Sequence, residues 1–413
     1  MKKALFLLNM LLGAVASQAQ TAKKAVFIIV DGIPNDVIEK VSTPSLDSIA
    51  KVGGYVRAYV GGDKKTYSQT PTISAVGYNS LLTGTWVNKH NVWGNDIKAP
   101  NYNYWTIFRF LKEQYPTKKT AVFSTWLDNR TKLVGDDLPQ TGNIMTNYHL
   151  DGLELDTVNY PHVADSKHIN LIDEKISTEA ANSIRKDAAD LTWVYLEFTD
   201  DMGHKYGDSP QFYSAIEQMD KQVGRVWQAV QYRMKNFKED WVIYITTDHG
   251  RDAKTGKNHG GQSDRERATW MVTNAKDLNP YFRNYQPGIV DIMPSIASFM
   301  GISFPRDRQF EIDGVPLVGK VSAVQANAQL KDKTIDLTWK AIDKKGQAKI
   351  WLSTTNYFET GKTDNYVLLK KVPVAAEKVS LDISAYQSSF YKIVIEMPHN
   401  TLNRWIVLEK KDK

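Results

Sequence analysis

The sequence contains no cysteine, and histidine is scarce, with eight residues among 413. The absence of cysteine excludes disulfides, thiolate metal ligands, a cysteine nucleophile and a lipid-attachment cysteine. Hydrophobic residues make up 42% of the chain and charged residues 24%, proportions that are typical of a globular protein with a large core. The formal charge of +6 is small for this length and the lysines are scattered. We therefore expect a solvated surface and no nucleic acid as a structural partner.

Long apolar runs are absent after the first twenty residues. Residues 1–20 read MKKALFLLNMLLGAVASQAQ, in which two lysines precede an apolar run and small residues follow it. This is the form of a secretory signal peptide, and the run is short for a membrane-spanning helix. We expect an exported protein, periplasmic or secreted, without a membrane span in its mature part.

The segment from residue 21 to 322 alternates between two hydrophobic patterns. Short continuous apolar runs, such as AVFIIV (25–30), suit strands that are buried on both faces of a mainly parallel sheet. Between these runs lie helical patterns, of which the clearest follows Ser209 and Pro210, a suitable N-cap and first helical residue. Strands that alternate with helices predict an α/β catalytic domain with a doubly wound, mainly parallel sheet.

Residues 323–413 have a different pattern, in which apolar and polar residues alternate with a period of two. Ile335, Leu337 and Trp339 form one such series, and turn residues separate it from the next. This pattern predicts antiparallel strands and a small β-sandwich resembling fibronectin type III or immunoglobulin modules. We expect the sandwich to fold separately and to supply neither a metal ligand nor a nucleophile.

Three aspartates follow predicted strands closely. Asp31 comes directly after AVFIIV, Asp200 follows the strand WVYLEFT, and Asp248 follows WVIYITT. Ligands of open α/β sheets bind beyond the carboxyl ends of the strands, so these three carboxylates are expected at one edge. A single aspartate after a strand is more often a turn or capping residue, but three together indicate a functional site.

Three of the eight histidines lie close in sequence to these aspartates. His204 follows Asp200 by four residues, His249 directly follows Asp248, and His259 comes ten residues later. An Asp and a His four residues apart can converge on one ion, and both side chains are good zinc ligands. The pattern therefore predicts a metal centre.

The stretch PTISAVGYNSLLTG, residues 71–84, leads from a turn into a predicted helix. A hydroxyl at the start of a helix faces unpaired backbone N–H groups and the positive end of the helix dipole, which stabilise an oxyanion or a phosphoryl group. Ser74 is therefore a candidate nucleophile. The alternative is that Ser74 only caps the helix.

Taken together, these motifs resemble the alkaline phosphatase superfamily, and most closely its type I phosphodiesterase and nucleotide pyrophosphatase branch. The resemblance runs from residue 25 to about residue 300 in the family's order. The matching segments are VDGIP (30–34), TPSLDSIAKVGG (43–54), PTISAVGYNSLLTGTWVNKHNVWGN (71–95), TDDMGHKYGDS (199–209), TTDHG (246–250), NHGG (258–261) and IVDIMPSIASFMGI (289–302).

The resemblance implies a two-metal hydrolase of phosphate esters that acts through a phospho-serine. It also implies two metal ions, for which zinc is the first choice because three ligands are imidazoles. The family's nucleophile lies nine residues before the Thr of a Thr-Gly pair, which gives Ser74 here, with Thr72 as the rival. The implied ligands are Asp200, His204 and His259 for one metal and Asp31, Asp248 and His249 for the other.

Two positions differ from the usual pattern of the branch. Ser74 and Gly77 stand where the phosphodiesterases usually have Thr and Asn, so the preference for diesters or monoesters stays open. A phosphomonoesterase, a phosphonate hydrolase or a sulfatase of the same superfamily are alternatives. From a different class, the chain could be an inactive surface protein that binds glycans.

Overall fold

The computed structural model describes residues 21–408. The predicted signal peptide, residues 1–20, lies outside the described residues. Within residues 21–408, no helix is both long enough and apolar enough to cross a membrane.

A seven-stranded sheet forms the centre of the catalytic domain, with the order β2-β7-β6-β1-β5-β3-β4. The five strands from β6 to β4 are parallel, and β7 and β2 extend the sheet antiparallel at one edge. This mainly parallel sheet confirms the predicted fold class. The strands are β1 (Ala22–Val30), β2 (Gly54–Tyr59), β3 (Thr120–Ser124), β4 (Tyr148–Leu150), β5 (Leu191–Leu196), β6 (Glu239–Thr246) and β7 (Ala268–Thr273).

Helices cover both faces of the sheet, because its central strands are apolar on both sides. In β1, Phe27 packs on one face with α3, α5 and α10, and Ile28 packs on the other with α2, α6 and α8. Ser209 caps α8 by accepting from the Phe212 N–H, as its sequence predicts. The helices are α1 (Asn35–Ile38), α2 (Pro44–Ala50), α3 (Ser74–Thr83), α4 (Val87–His90), α5 (Ile107–Gln114), α6 (Lys167–Lys186), α7 (Phe198–Tyr206), α8 (Pro210–Asn236), α9 (Pro280–Asn284), α10 (Ile292–Met300) and α11 (Arg306–Gln309).

The C-terminal region forms two antiparallel sheets, of order β11-β10-β13-β14 and β12-β9-β8. Their apolar faces are buried, as the period-two pattern predicts. The strands are β8 (Ala323–Lys331), β9 (Thr334–Ala341), β10 (Gln347–Ser353), β11 (Val367–Pro373), β12 (Lys378–Asp382), β13 (Phe390–Glu396) and β14 (Thr401–Val407).

The sandwich packs tightly on the catalytic domain, and one hydrophobic core continues from the first into the second. At the junction, the buried Nζ of Lys89 donates to Asp313 Oδ1 at 2.6 Å and to Asn403 Oδ1 at 2.8 Å. Tyr67, in the loop before α3, stacks on Trp405 with ring centroids 5.6 Å apart. The separate folding of the sandwich stays a prediction, and this contact joins it to the segment that leads to Ser74.

Candidate active site

The carboxyl ends of the neighbouring strands β6, β1 and β5 bring the predicted site residues together. Asp31 follows β1, and Asp248 and His249 follow β6. The nitrogen Nε2 of His249 lies 3.3 Å from Asp31 Oδ1 and 3.3 Å from Asp248 Oδ2. All three side chains are buried, and their ligand atoms are close enough to bind one ion.

A second group lies beside the first and is more open to solvent. Helix α7 presents Asp200 and His204 on one face, with Asp200 Oδ2 3.1 Å from His204 Nε2. The nitrogen Nε2 of His259 lies 3.1 Å from that of His204. The ring of His259 also stacks on His249 at 3.7 Å, so that Asp200, His249 and His259 form a further group able to hold an ion. His249 thus links the two halves of the centre.

Two oxygen atoms show that this centre suits cations. Asp31 Oδ1 and Asp248 Oδ2 are buried, and neither has a hydrogen-bond partner among residues 21–408. Buried polar atoms without a hydrogen-bond partner are costly, and His249 Nε2, at 3.3 Å, is the charged group beside both of them. Asp31, Asp248 and His249 each offer a ligand atom within 4.8 Å of the others, and a cation between them would satisfy both oxygens. Carboxylate oxygen together with imidazole nitrogen is a donor set that zinc accepts.

The pKa values of Asp248 and His249 show the effect of the buried carboxylates beside them. Burial raises the pKa of Asp248 well above its ordinary value, and the nearby Asp31 raises it further. Burial alone would lower the pKa of His249, but Asp248 and Asp31 raise it to about 9. The pKa of His259 falls to about 4, because it is buried and lies beside His249. The carboxylates therefore favour a positive charge at the centre.

Ser74 is the first residue of α3 and opens onto the same centre. Its Oγ lies 3.4 Å from His249 Nε2, and the side chain is almost fully buried. The N-cap position is taken by Ile73, and Ser74 itself makes no capping hydrogen bond. The structure therefore gives no support to the alternative that Ser74 only caps the helix.

Thr72, the rival nucleophile, is held in a different set of contacts. Its Oγ1 donates to the carbonyl oxygen of Gly261 at 2.9 Å and accepts from the N–H of Gly260 at 2.9 Å. Its own carbonyl oxygen lies 2.9 Å from Nδ1 of His259. Thr72 thus holds the loop that carries His259 in place. Its hydroxyl already donates one hydrogen bond to this loop and accepts another from it.

Asn95 is a site residue that the sequence reasoning missed. Its Oδ1 accepts from the N–H of Ala75 at 3.0 Å, so the amide group is held at the N-terminal end of α3. Ala75 directly follows Ser74, so this hydrogen bond brings the amide group of Asn95, whose nitrogen can donate two N–H groups, to the residue next to the candidate nucleophile. One signal for Asn95 was available in the sequence: it is the last residue of the segment 71–95, which carries the family resemblance.

The packing around Gly77 leaves no room for a side chain at this position, where the phosphodiesterases usually have Asn. A Cβ atom at this position would lie 2.8 Å from the carbonyl oxygen of Asp248 and 2.9 Å from its Cβ. Because glycine has no side chain, α3 can pack directly against the segment that carries Asp248.

Two buried tyrosines hold the outer oxygen of Asp31. Tyr195 donates from its hydroxyl to Asp31 Oδ2 at 2.7 Å, and Tyr78 donates to the same atom. With Oδ2 fixed in this way, Oδ1 is left to face His249. Tyr195 lies in an uninterrupted apolar strand, where the sequence gives no signal for this contact.

Arg251 plays a similar part at Asp200. This arginine is fully buried, and its Nη2 contacts both Oδ1 and the carbonyl oxygen of Asp200. Its Nε donates to the carbonyl oxygen of Gly32 at 2.9 Å. A Cβ at Gly203 would lie 2.2 Å from the guanidinium group, so the arginine needs glycine there. Arg251 joins the turn after Asp31 to the helix that carries Asp200.

Comparison with known proteins gives a family match over much of the chain. Residues 25–277 match the model of the type I phosphodiesterase / nucleotide pyrophosphatase family. The human ectonucleotide pyrophosphatase/phosphodiesterase family member 7 is 24% identical over 314 residues, which are 72% of this chain. A phosphopentomutase from Pseudothermotoga lettingae is 28% identical over 27% of this chain. The matches span 60% of the human relative and 26% of the phosphopentomutase.

Solved structures show the same fold at low sequence identity. A candidate sulfatase from Bacteroides thetaiotaomicron has a TM-score of 0.51 at 12% identity, over 84% of this chain and 85% of that one. The crystal structure of Ps i-CgsB in complex with k-i-k-neocarrahexaose has a TM-score of 0.51 at 14% identity, over 77% of this chain and 82% of that one. The chain therefore has an alkaline phosphatase-like fold.

Proposed function

Because the chain belongs to the type I phosphodiesterase / nucleotide pyrophosphatase family, we propose that it hydrolyses phosphate esters at two divalent cations, with Ser74 as the nucleophile. The observation that carries the proposal is the set of atoms around His249 Nε2. Asp31 Oδ1 and Asp248 Oδ2, which are buried and have no hydrogen-bond partner among residues 21–408, lie within 3.4 Å of this nitrogen, and so does the hydroxyl of Ser74.

The residues divide between two cation sites as the family resemblance implies. Asp31, Asp248 and His249 would hold the cation next to Ser74. Asp200, His204 and His259 would hold the other cation. His249 also lies near Asp200 and His259, and it is assigned to the first site because its Nε2 is 3.3 Å from Asp31 Oδ1 and from Asp248 Oδ2. Bound divalent cations would make the attacking oxygen a stronger nucleophile and neutralise charge on the leaving oxygen. Zinc is the expected metal, because three of the six ligands are imidazoles.

The reaction proceeds in two displacements at phosphorus. The Oγ of Ser74 forms a bond to phosphorus, and the ester bond to the leaving group breaks, so that the alcohol departs with a proton. Water then attacks the phosphorus of the phospho-serine, and the bond to Oγ breaks, which releases the phosphate product and restores the hydroxyl. The N-terminal end of α3 stabilises the negative oxygens throughout.

Asn95 has a distinct part in this scheme. With its Oδ1 occupied by the N–H of Ala75, its amide nitrogen is the available donor to a non-bridging phosphoryl oxygen. Donors that are already in place where negative charge develops contribute strongly to catalysis. The side chain is exposed, so that a substrate can reach it from solvent.

We propose a phosphodiesterase or nucleotide pyrophosphatase type of substrate, in line with the family. The test is a panel of bis-p-nitrophenyl phosphate, a p-nitrophenyl phosphonate ester, p-nitrophenyl phosphate and p-nitrophenyl sulfate. We expect the diester to be cleaved fastest, with activity lost in chelator and restored by zinc. Faster cleavage of the sulfate than of every phosphorus ester would overturn the proposal.

The number of metals and the destination of the chain are proposals as well. Elemental analysis of the purified protein should give two transition-metal ions per chain, and a single calcium ion would contradict it. Export is supported by the pattern of residues 1–20. Mature protein isolated from the periplasm or medium should therefore lack this segment, which N-terminal sequencing would show.

A further inference from the structure

A cavity of about 680 Å³ lies where the sandwich meets the catalytic domain. Its wall combines the loop before α3, the segment after His259, and strands β8 and β14 of the sandwich. None of the seven residues proposed for the metal centre and nucleophile lines it. Its volume is in the range of small-molecule binding sites, about 300–1,000 Å³.

Two arginines in the wall have no carboxylate partner among residues 21–408. Arg404 donates from Nε to the carbonyl oxygen of Ala326 at 2.6 Å, and from Nη1 to its neighbour's carbonyl oxygen at 2.8 Å. Arg267 donates to the carbonyl oxygen of Gly62 at 2.6 Å and to the side chain of Gln262 at 3.2 Å. Both guanidinium groups are thus tied to neutral acceptors and keep their full charge.

The other charged groups of the wall are in ion pairs, apart from Asp63 and Asp291. Lys64 pairs with Asp264 at 2.5 Å, and Asp313 pairs with Lys89 at 2.6 Å. Asp291 accepts three hydrogen bonds from protein donors, and burial raises its pKa to about 7. Asp63 has neither an ion pair nor a side-chain hydrogen bond in the described chain. The two guanidinium groups therefore stand against two carboxylates without an ion pair, Asp63 and Asp291, and burial disfavours the charged form of the second.

The charged groups of the wall influence the pKa of Tyr59. Burial raises the pKa of this phenol, Asp291 and Asp63 raise it further, and Arg404 and Arg267 oppose them. Within residues 21–408 the hydroxyl has no hydrogen-bond partner in the protein. Tyr59 is half-buried, so its hydroxyl is available to water or to a ligand in the cavity.

The backbone of β8 is irregular where it borders the cavity. Its pairing with β9 shifts register between Val324 and Asn327, and Gln325 adopts a left-handed conformation with φ of 53°. Bulges of this kind redirect side chains and are frequent beside binding sites. A strained non-glycine residue is also more common at functional positions than elsewhere.

We propose that this cavity binds a monoanionic sugar, a ring that carries one carboxylate or one sulfate ester. The two guanidinium groups supply the forked donors that bind such oxyanions. The half-buried tyrosines of the wall, Tyr59 and Tyr67, each present apolar ring surface and a polar hydroxyl, a combination suited to packing against a sugar ring. Because Asp63 and Asp291 also line the wall, a ligand with one negative charge meets less repulsion than a phosphate monoester, which carries two.

The site touches both loops that reach the metal centre, although it is separate from that centre. Arg267 contacts Gln262, which donates to the carbonyl oxygen of Thr70 at 2.7 Å. Tyr67 belongs to the same loop and stacks on Trp405. A sugar in the cavity would therefore hold the sandwich, the loop before Ser74 and the loop after His259 together.

Isothermal titration of the full-length, metal-loaded protein tests the proposal with glucuronate, glucose 6-sulfate, glucose and acetate. We expect at least one of the two sugar acids to bind with Kd below about 1 mM. Glucose lacks the acid group and acetate lacks the sugar ring, so each should bind at least tenfold more weakly. Arg404→Gln should weaken binding at least tenfold, whereas the exposed control Arg283→Gln should not.

Tyr59→Phe provides a second variant in case Arg404→Gln does not fold. It removes only a hydroxyl that has no protein partner, so the thermal unfolding temperature should stay unchanged while the sugar acid binds more weakly. The proposal is overturned if neither sugar acid binds, or if glucose or acetate binds as tightly as the better acid. It is equally overturned if Tyr59→Phe and every folded Arg404 variant bind that acid as the unchanged protein does.

Discussion

The hydroxyl of Thr72 donates to the carbonyl oxygen of Gly261 at 2.9 Å, and thereby joins the loop before the proposed nucleophile to the loop that carries His259. Ser74, two residues later, has its hydroxyl directed at His249. These two hydroxyls, two residues apart in the sequence, therefore have different environments, one structural and one facing the site. This difference leads to the first prediction.

Ser74→Ala should remove nearly all turnover and leave the metals bound. Loss of a nucleophile in other hydrolases costs up to roughly 10⁶ in rate, and the six proposed ligands do not include Ser74. Thr72→Val should lower kcat less than Ser74→Ala does. It should also weaken metal binding, because the loop that carries His259 loses its two hydrogen bonds to the Thr72 hydroxyl. Steady-state rates and metal content at matched protein concentration measure both. A dead Thr72→Val enzyme beside an active Ser74→Ala enzyme would show that the wrong hydroxyl was chosen.

Tyr195→Phe should lower the affinity for the metal next to Ser74 by about 10–100-fold, as is usual when a residue that orients a ligand is lost. The hydroxyl holds Asp31 Oδ2 at 2.7 Å and so directs Oδ1 toward the centre. Competition with a chelator measures the affinity. The exposed Tyr232→Phe serves as the control. Equal affinities in the two variants would mean that Tyr78 alone is sufficient to orient Asp31.

Arg251→Met should destabilise the protein by about 3–5 kcal/mol, because it removes one partner of a buried ion pair. The loss should be larger in chelator than in excess zinc, since a bound cation also compensates Asp200. Urea unfolding under both conditions gives the two values. Arg57→Met is the matched control, since its pair with Glu39 is largely exposed and worth about 0–1 kcal/mol. An Arg251→Met protein as stable as this control would contradict the assigned role.

His90 should make the stability depend on pH below neutrality. Burial lowers its pKa from 6.5 to about 3. Its Nδ1 accepts from the Val92 N–H, so Nε2 carries the proton toward Ser80. Between pH 6.5 and about 3 the unfolded chain binds the additional proton and the folded chain does not. The free energy of unfolding should therefore fall with falling pH, by up to about 1.4 kcal/mol per pH unit.

The contribution of His90 is fully present above pH 6.5, where both states are neutral. His90→Gln keeps an acceptor and a donor in place but cannot be protonated, so its stability should fall less steeply with acid. Denaturant unfolding at pH 4.5 and 7.5 makes the comparison, with the exposed His149→Gln as control. Identical slopes in His90→Gln and the unchanged protein would exclude His90 as the cause.

The sequence by itself determined the fold class and the composition of the centre. Apolar runs that alternate with helical patterns require a sheet buried on both faces, and a residue that follows a parallel strand must lie at its carboxyl edge. For this reason Asp31, Asp200 and Asp248 could be assigned to one site before any contact was known. The spacing of Asp200 and His204 likewise places both on one face of a helix, because four residues make about one turn.

Only the tertiary structure decided how these side chains are held. Tyr195 and Arg251 contact Asp31 and Asp200 from distant parts of the chain, and no local pattern encodes contacts between residues so far apart in sequence. The same is true of Asn95, which reaches the start of α3 across a loop. The period of a strand or helix fixes which face a residue occupies, whereas the partner on that face depends on how the elements pack. The sequence therefore determined which chemical groups meet at the sheet edge, and packing decided which of their atoms are left open to the centre and which are held by the protein.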